Sequence, residues 1–182
     1  MTTPSRGVGS GAQTLDDTAR LQEIAHLRLN DADVDGILSQ ITAEAAEHFG
    51  LPVALVSIVL DQAQYFRGSH GLDGWMDTTR GTPAEWSFCQ HVVRNREPFV
   101  VDDAQTHPLM RDSPLVRIEG IRCYAGVPLI TVRGHVIGSF CVQGPDARSF
   151  TEDDLAQLQR YAKRAITRIE QRRQAEGSGP AC

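Results

Sequence analysis

Apolar residues recur at two different periods along the chain. In "DVDGILSQITAEAAEHFGLP", Val34, Ile37, Leu38, Ile41, Ala45 and Phe49 fall at three- and four-residue steps, which is one stripe of a helix. Asp33 is placed to cap its start, and Gly50 with Pro52 ends it. Upstream, "LDDTARLQEIAHLRLN" opens with acids and sets Leu21, Ile24 and Leu27 on one helical face. At the other end, Thr151-x-x-Asp154 caps "EDDLAQLQRYAKRAITRIEQRR", where Leu155, Leu158, Ala162, Ala165 and Ile169 form a coiled-coil-like seam. Acids at its start and arginines at its end match the helix dipole.

Between these helices the spacing changes. "PVALVSIVL" and "AQYFRGSHG" are β-rich runs joined through "DQ", the pattern of a hairpin. "PFVVDDA" is a further strand, and "IRCYAGVPLITV" and "HVIGSFCVQG" form a last hairpin through "RG". "LDGWMDTTRGTPAEW" is too polar and too rich in glycine for a regular element. "SFCQHVVRNRE" opens a short helix with Ser87-x-x-Gln90, and "QTHPLMRDSPLVRIEG" is a loop. Hairpins dominate, so the expected class is α+β with an antiparallel sheet. The terminal helices cover one face, leaving the short helix and the loops for the other. The Gly- and Ser-rich ends, 1–14 and 174–182, are expected to be disordered tails around a domain over 15–173.

Composition changes this picture only by exclusion. Hydrophobic residues are 41% and charged ones 23%, ordinary for a globular protein of 182 residues. The longest apolar run, "LPVALVSIVL", is too short to cross a bilayer, and the N-terminus lacks the apolar segment of a secretory signal, so a cytoplasmic location is expected. A net charge of −5 argues against nucleic acid as a partner. Lys163, the only lysine, lies on a helical stretch and is read as solvated. The histidines carry no metal-ligand spacing.

The cysteines at 89, 123, 141 and 182 show no C-x-x-C, and reduced thiols are the expectation. Cys89 falls in the first turn of the short helix, where free N–H groups and the dipole acidify a thiol; the plainer reading packs "SFC" into the core. Cys123 alternates with Ile121, Ala125, Val127 and Leu129 on one face of its strand, and Tyr124 points to the other. Gly126 and Pro128 mark a bulge or an edge. Asp102 and Asp103 are adjacent on a strand end and point apart, so they share no proton; one caps the following loop. Trp75, Met76 and Trp86 flank the irregular stretch and are either its core or a lid. Cys141 is read as core and Cys182 as an exposed free thiol.

Taken in order, "VALVSIVL…QYFRGSHGL", "SFCQHVV", "PFVVDDA", "THPLMRDSPLV", "IRCYAGVPL" and "HVIGSFCVQGPDARSFTEDDLAQL" resemble the GAF domain over most of residues 20–170. The resemblance implies a six-stranded antiparallel sheet, terminal helices on one face that commonly form a homodimer, and a small-molecule pocket on the loop-covered face. It places Trp86, Cys89, Asp103, Cys123 and Tyr124 as ligand-binding candidates, with Cys123 standing where family members more often carry an aromatic. Neither the cyclic-nucleotide signature nor the Cys-His pair of the bilin-binding members is found, so the cofactor is open.

The leading expectation is a sensory module signalling to a protein partner in trans. The first alternative is a thiol enzyme of the free methionine sulfoxide reductase type, in which Cys123 meets Cys89 across the pocket. A dimerisation module without a ligand is the second.

Overall fold

A computed structural model describes residues 12–27, 29 and 32–177. The element order is α1 (Thr18–His26), α2 (Ala32–Phe49), β1 (Val53–Val59), β2 (Ala63–His70), α3 (Gly74–Thr79), β3 (Gly81–Pro83), a 3-10 turn (Ala84–Trp86), α4 (Cys89–Asn95), β4 (Phe99–Val101), α5 (Pro114–Arg117), β5 (Cys123–Ile130), β6 (Val136–Gly144) and α6 (Glu152–Gly177). The strands make one six-stranded sheet in the order β3-β2-β1-β6-β5-β4, antiparallel at every pairing. This is the α+β class expected. The edge strands β3 and β4 are only three residues long, which leaves little backbone exposed to stray pairing.

Local chemistry explains the helix ends. α2 stops where Gly50 takes φ +61°: Gly50 N–H donates to Glu47 O and Leu51 N–H to Ala46 O, a Schellman closure that only a residue tolerant of positive φ makes cheaply. α6 starts at a reciprocal box, in which Asp154 N–H donates to Thr151 Oγ1 at 3.1 Å and Thr151 N–H donates to Asp154 Oδ2 at 2.9 Å. Asp17 caps α1 by accepting from Arg20 N–H at 2.8 Å. α2 begins at Ala32, so Asp33 lies within its first turn and not at the N-cap expected; Cys182 and positions 1–11 lie outside the described residues.

One face of the sheet is a largely apolar layer, with an Asp35–Arg67 ion pair between α2 and β2. Ala54, Val56 and Ile58 of β1, Ala125, Val127 and Leu129 of β5, and Ile137, Phe140 and Val142 of β6 meet the stripes of α2 and α6. Leu158 is 1% exposed and Ala165 0%. The α6 stripe is therefore spent inside the subunit, and its residues do not form the dimer seam that their spacing suggested. The reason is that α6 has a nearer apolar partner, the sheet, than any second copy.

Several other expectations are corrected. The irregular stretch before Ser87 contains α3, β3 and a turn, and β3 is the strand that local periodicity missed. The 105–120 loop carries a single helical turn, α5, capped by Ser113. α6 runs to Gly177, past the start of the tail expected from 174. Residues 12–14 are tied down, because Gln13 N–H donates to Arg94 O at 2.8 Å. Ile121 precedes β5 and packs on the opposite side of the sheet from Cys123. Of the bulge or edge that Pro128 signals, it is the edge: β4 pairs only with Tyr124–Gly126, so β5 has no neighbour on that side at Pro128.

Arg20 was not singled out in the sequence, yet it is fully buried and donates to the carbonyls of Val59 and Leu15. It pins α1 to the end of β1. No helix among the described residues is long and apolar enough to cross a membrane.

Candidate functional site

The second face of the sheet is roofed by α3, α4, α5 and the connecting loops, and its character differs. Strand alternation sends Ser57 of β1, Gln64 of β2, Tyr124 of β5 and Ser139 of β6 into it, all 3% exposed or less. Gln64 is the hub. Its Oε1 accepts from Ser57 Oγ at 2.8 Å and from Ser87 Oγ at 2.7 Å, and its Nε2 donates to Thr82 Oγ1 at 2.7 Å. Ser87 Oγ in turn accepts from Gln90 N–H at 3.3 Å, so one hydroxyl both opens α4 and joins the network. Buried polar groups cost free energy unless paired, and these are paired with one another.

Beside the hub lie two thiols. Cys89 is the first residue of α4, and Cys141 projects from the middle of β6; their sulfurs stand 3.9 Å apart, both buried. Tyr124 Oη donates to Cys89 Sγ at 3.4 Å and lies 3.2 Å from Ser139 Oγ. Its ring stacks on Phe88 with centroids 4.8 Å apart. Hydrogen bonding from the Cys141 thiol holds Cys89 below the ordinary thiol range, and the hydroxyls of Tyr124, Ser57 and Ser139 add to this against the cost of burial. Cys141, as the donor of the pair, is pushed up, and burial raises Tyr124 well above the phenol range. Of the two thiols, Cys89 is therefore the more acidic.

Toward the edge of the roof is a cleft of about 200 Å³ between the 71–76 segment, the 119–121 segment and the end of β6. Leu72, Met76 and Ile121 form its apolar side, and Asp73, Glu119 and Gln143 its polar side. Trp75 stands edge-on to Trp86 at 6.3 Å, and its indole N–H donates to Glu119 Oε1 at 2.7 Å, bridging α3 to the 119–121 segment. Trp86 is half-buried against the roofed core, and its carbonyl accepts from Ser113 Oγ at 2.7 Å.

Of the residues singled out in the sequence, Trp86, Cys89 and Tyr124 share the roofed face. Asp103 and Cys123 do not join them. Asp103 takes Arg122 in a two-point ion pair, 2.5 Å and 3.2 Å, and its Oδ1 accepts from Gln105 N–H, so it braces the turn after β4. Arg122 holds that carboxyl below its usual range. Asp102 points elsewhere and accepts from Ser149.

Cys123 shares the face of Ala125 and Val127, under the terminal helices, and its sulfur lies near Gly144. The expected approach of Cys123 to Cys89 does not occur, because the sheet stands between them. Cys141 takes that place. Sequence periodicity makes Cys141 a core residue only; the signal for its site is Ser57 and Ser139, hydroxyls set inside otherwise apolar strands. Among the described residues, no group of three or more His, Cys, Asp or Glu is placed to hold a metal ion.

The family model of the GAF domain matches residues 33–169. A cyclic di-GMP phosphodiesterase of Pseudomonas aeruginosa, PA2567, is 38% identical over 156 residues, covering 85% of this chain and 26% of that protein, so the chain spans about a quarter of that relative's length. Among solved structures, the GAF domain of a phosphoenolpyruvate-protein phosphotransferase from Coxiella burnetii superposes with a TM-score of 0.66 at 20% identity, covering 88% of this chain and 99% of that one. The free methionine-R-sulfoxide reductase of Neisseria meningitidis, in complex with its substrate, superposes with a TM-score of 0.64 at 21% identity, covering 86% and 89%.

Proposed function

The chain belongs to the GAF domain family, and from that premise we propose that it is a sensory module, a homodimer that takes a small molecule under the roof of its sheet and reports the occupancy to a partner protein in trans. The observation that carries this reading is the asymmetry of the two faces. The helix-covered face is filled mainly by aliphatic and aromatic side chains, with Thr42 and the Asp35–Arg67 ion pair its polar exceptions between α2 and β2. The roofed face buries Ser57, Gln64, Thr82, Ser87, Tyr124 and Ser139 beneath short elements. A core built for stability alone has no use for such a cluster, whereas a binding site needs a few convergent polar groups in an apolar surround.

The cleft at the edge of the roof is the natural entrance. Its lining includes Asp73 and Glu119 and no basic residue. That favours a neutral or amine-bearing molecule over a phosphate ester and argues against a cyclic nucleotide in this site. The partner is proposed to belong to cyclic di-GMP signalling, on the strength of the Pseudomonas relative. For the dimer surface, the groove between α2 and α6, about 410 Å³ and lined by Ile37, Glu44, Lys163 and Arg164 among others, replaces the buried α6 stripe. A thiol enzyme working through Cys89 and Cys123 loses its pair, since the sulfurs lie on opposite faces.

Native mass spectrometry of freshly purified, unreduced protein tests this. A dimer carrying a small mass excess that leaves on denaturation is expected. A monomer without adduct sinks the reading. A dimer without adduct supports instead a dimerisation module with no ligand, which the close stacking of Phe88 on Tyr124 favours.

A further inference from the structure

We propose that Cys89 and Cys141 are a reversible redox pair that closes into a disulfide across the roofed core. This is independent of any ligand. The sulfurs stand 3.9 Å apart, both residues are free and buried, and Cys123, the remaining described thiol, is separated from them by the sheet. A disulfide holds its sulfurs at about 2.05 Å, so the pair must close by roughly 2 Å. The two sides are unequally held. Cys141 sits in the middle of β6, paired on one side with Leu55 of β1 and on the other with Gly126 of β5. Cys89 begins a helix of seven residues that packs on the sheet as part of a thin roof. The movement therefore falls to Cys89 and α4.

The surroundings also assign the roles. The Tyr124 hydroxyl donates to Cys89 Sγ and the Cys141 thiol stands within hydrogen-bond reach of it, so the thiolate, which is the nucleophile, forms at Cys89, and Cys141 keeps its proton and resolves. With hydrogen peroxide as oxidant, the Cys89 thiolate attacks one peroxide oxygen and the O–O bond breaks. The leaving hydroxide takes up the proton that Cys89 gave. Cys141 sulfur then attacks the Cys89 sulfenic acid: the S–S bond forms, the S–O bond breaks, and the hydroxyl departs as water with the Cys141 proton. Two thiols lose two electrons in all, and one peroxide is reduced to two waters.

Closure removes the acceptor of the Tyr124 hydroxyl and draws α4 toward β6. The far end of α4 holds the chain ahead of α1 through Arg94 O and Gln13 N–H, so the shift is transmitted to the N-terminal segment.

The test uses the full chain with Cys182→Ser, reduced, freed of reductant and exposed to hydrogen peroxide in molar excess. The expected product is lighter by two hydrogens, with thiols titrated after denaturation falling from three to one. Its non-reducing peptide map joins Cys89 to Cys141, and dithiothreitol reverses the change. Cys123→Ser leaves the rate unaltered, which keeps the test informative should Cys141→Ser fail to fold. A full thiol count after oxidation, a Cys89–Cys123 link, or oxygen added to Cys89 without a link each overturns the proposal.

Discussion

Gly126 is the position from which the geometry of the site is most directly tested. It lies two residues beyond Tyr124 on β5, on the same face, and the phenol folds back over it. A Cβ at 126 would sit 2.1 Å from Tyr124 Oη, 2.6 Å from its Cζ and 2.8 Å from Ser139 Oγ. Contacts under 3 Å cannot stand, and Tyr124, 1% exposed and stacked on Phe88, has nowhere to retreat. Overpacking a filled core costs about 1–3 kcal/mol. Displacing the hydroxyl from Cys89 and Ser139 adds about 1 kcal/mol for each bond lost. Gly126→Ala should therefore destabilise by about 3–5 kcal/mol. With a urea slope of about 2 kcal/mol/M, the unfolding midpoint falls by roughly 1.5–2.5 M. The double-mutant cycle is the sharper measurement. In a Tyr124→Ala background the two shortest contacts are gone and only Ser139 Oγ, which can turn about its χ1, remains, so the same Gly126→Ala change should cost about 1 kcal/mol. An unchanged midpoint for Gly126→Ala, or equal costs in the two backgrounds, would show that the Tyr124 hydroxyl is not seated over Gly126.

Three further outcomes are expected. Leu158→Asp puts a carboxylate into the apolar layer at a position 1% exposed and should abolish folding, by more than about 4 kcal/mol; a folded monomer in size-exclusion chromatography and circular dichroism would return this residue to a dimer seam. Gln64→Leu leaves the hydroxyls of Ser57, Thr82 and Ser87 without their shared partner and should cost about 2–4 kcal/mol by urea unfolding, a neutral result meaning that water or a ligand already serves them. His91 is held below its ordinary 6.5, by burial first and then by Arg94 and His107. The unfolded chain then binds that proton more readily, so stability is full above pH 6.5 and declines as pH falls below it. Wild-type midpoints should drop more than those of His91→Gln between pH 7.5 and 5.5, and parallel curves would refute the assignment.

What the amino-acid order determined by itself was local. The three-to-four spacing in α2 and α6 and the alternation in β1, β5 and β6 identified these elements, the Gly50 end of α2, the Thr151 cap of α6 and the partition of each into two faces, because these depend on backbone periods of a few residues. The opposed directions of Cys123 and Tyr124 were legible for the same reason. So, through the motifs along 20–170, was the family. β3 was not, since three residues of Gly-Thr-Pro form a strand only when β2 is already beside them.

Tertiary structure alone decided which face met which layer. The α6 stripe and the Cys123 face were compatible with several partners, and the register of the sheet chose among them. The pairing of Cys89 with Cys141 joins positions 52 residues apart. It exists because β6 runs in register between β1 and β5, presenting Cys141 to α4. The same register places Ser139 and the space above Gly126 where the Tyr124 hydroxyl can use them. Sequence periodicity says that a side chain turns inward; only the folded sheet says what it meets there.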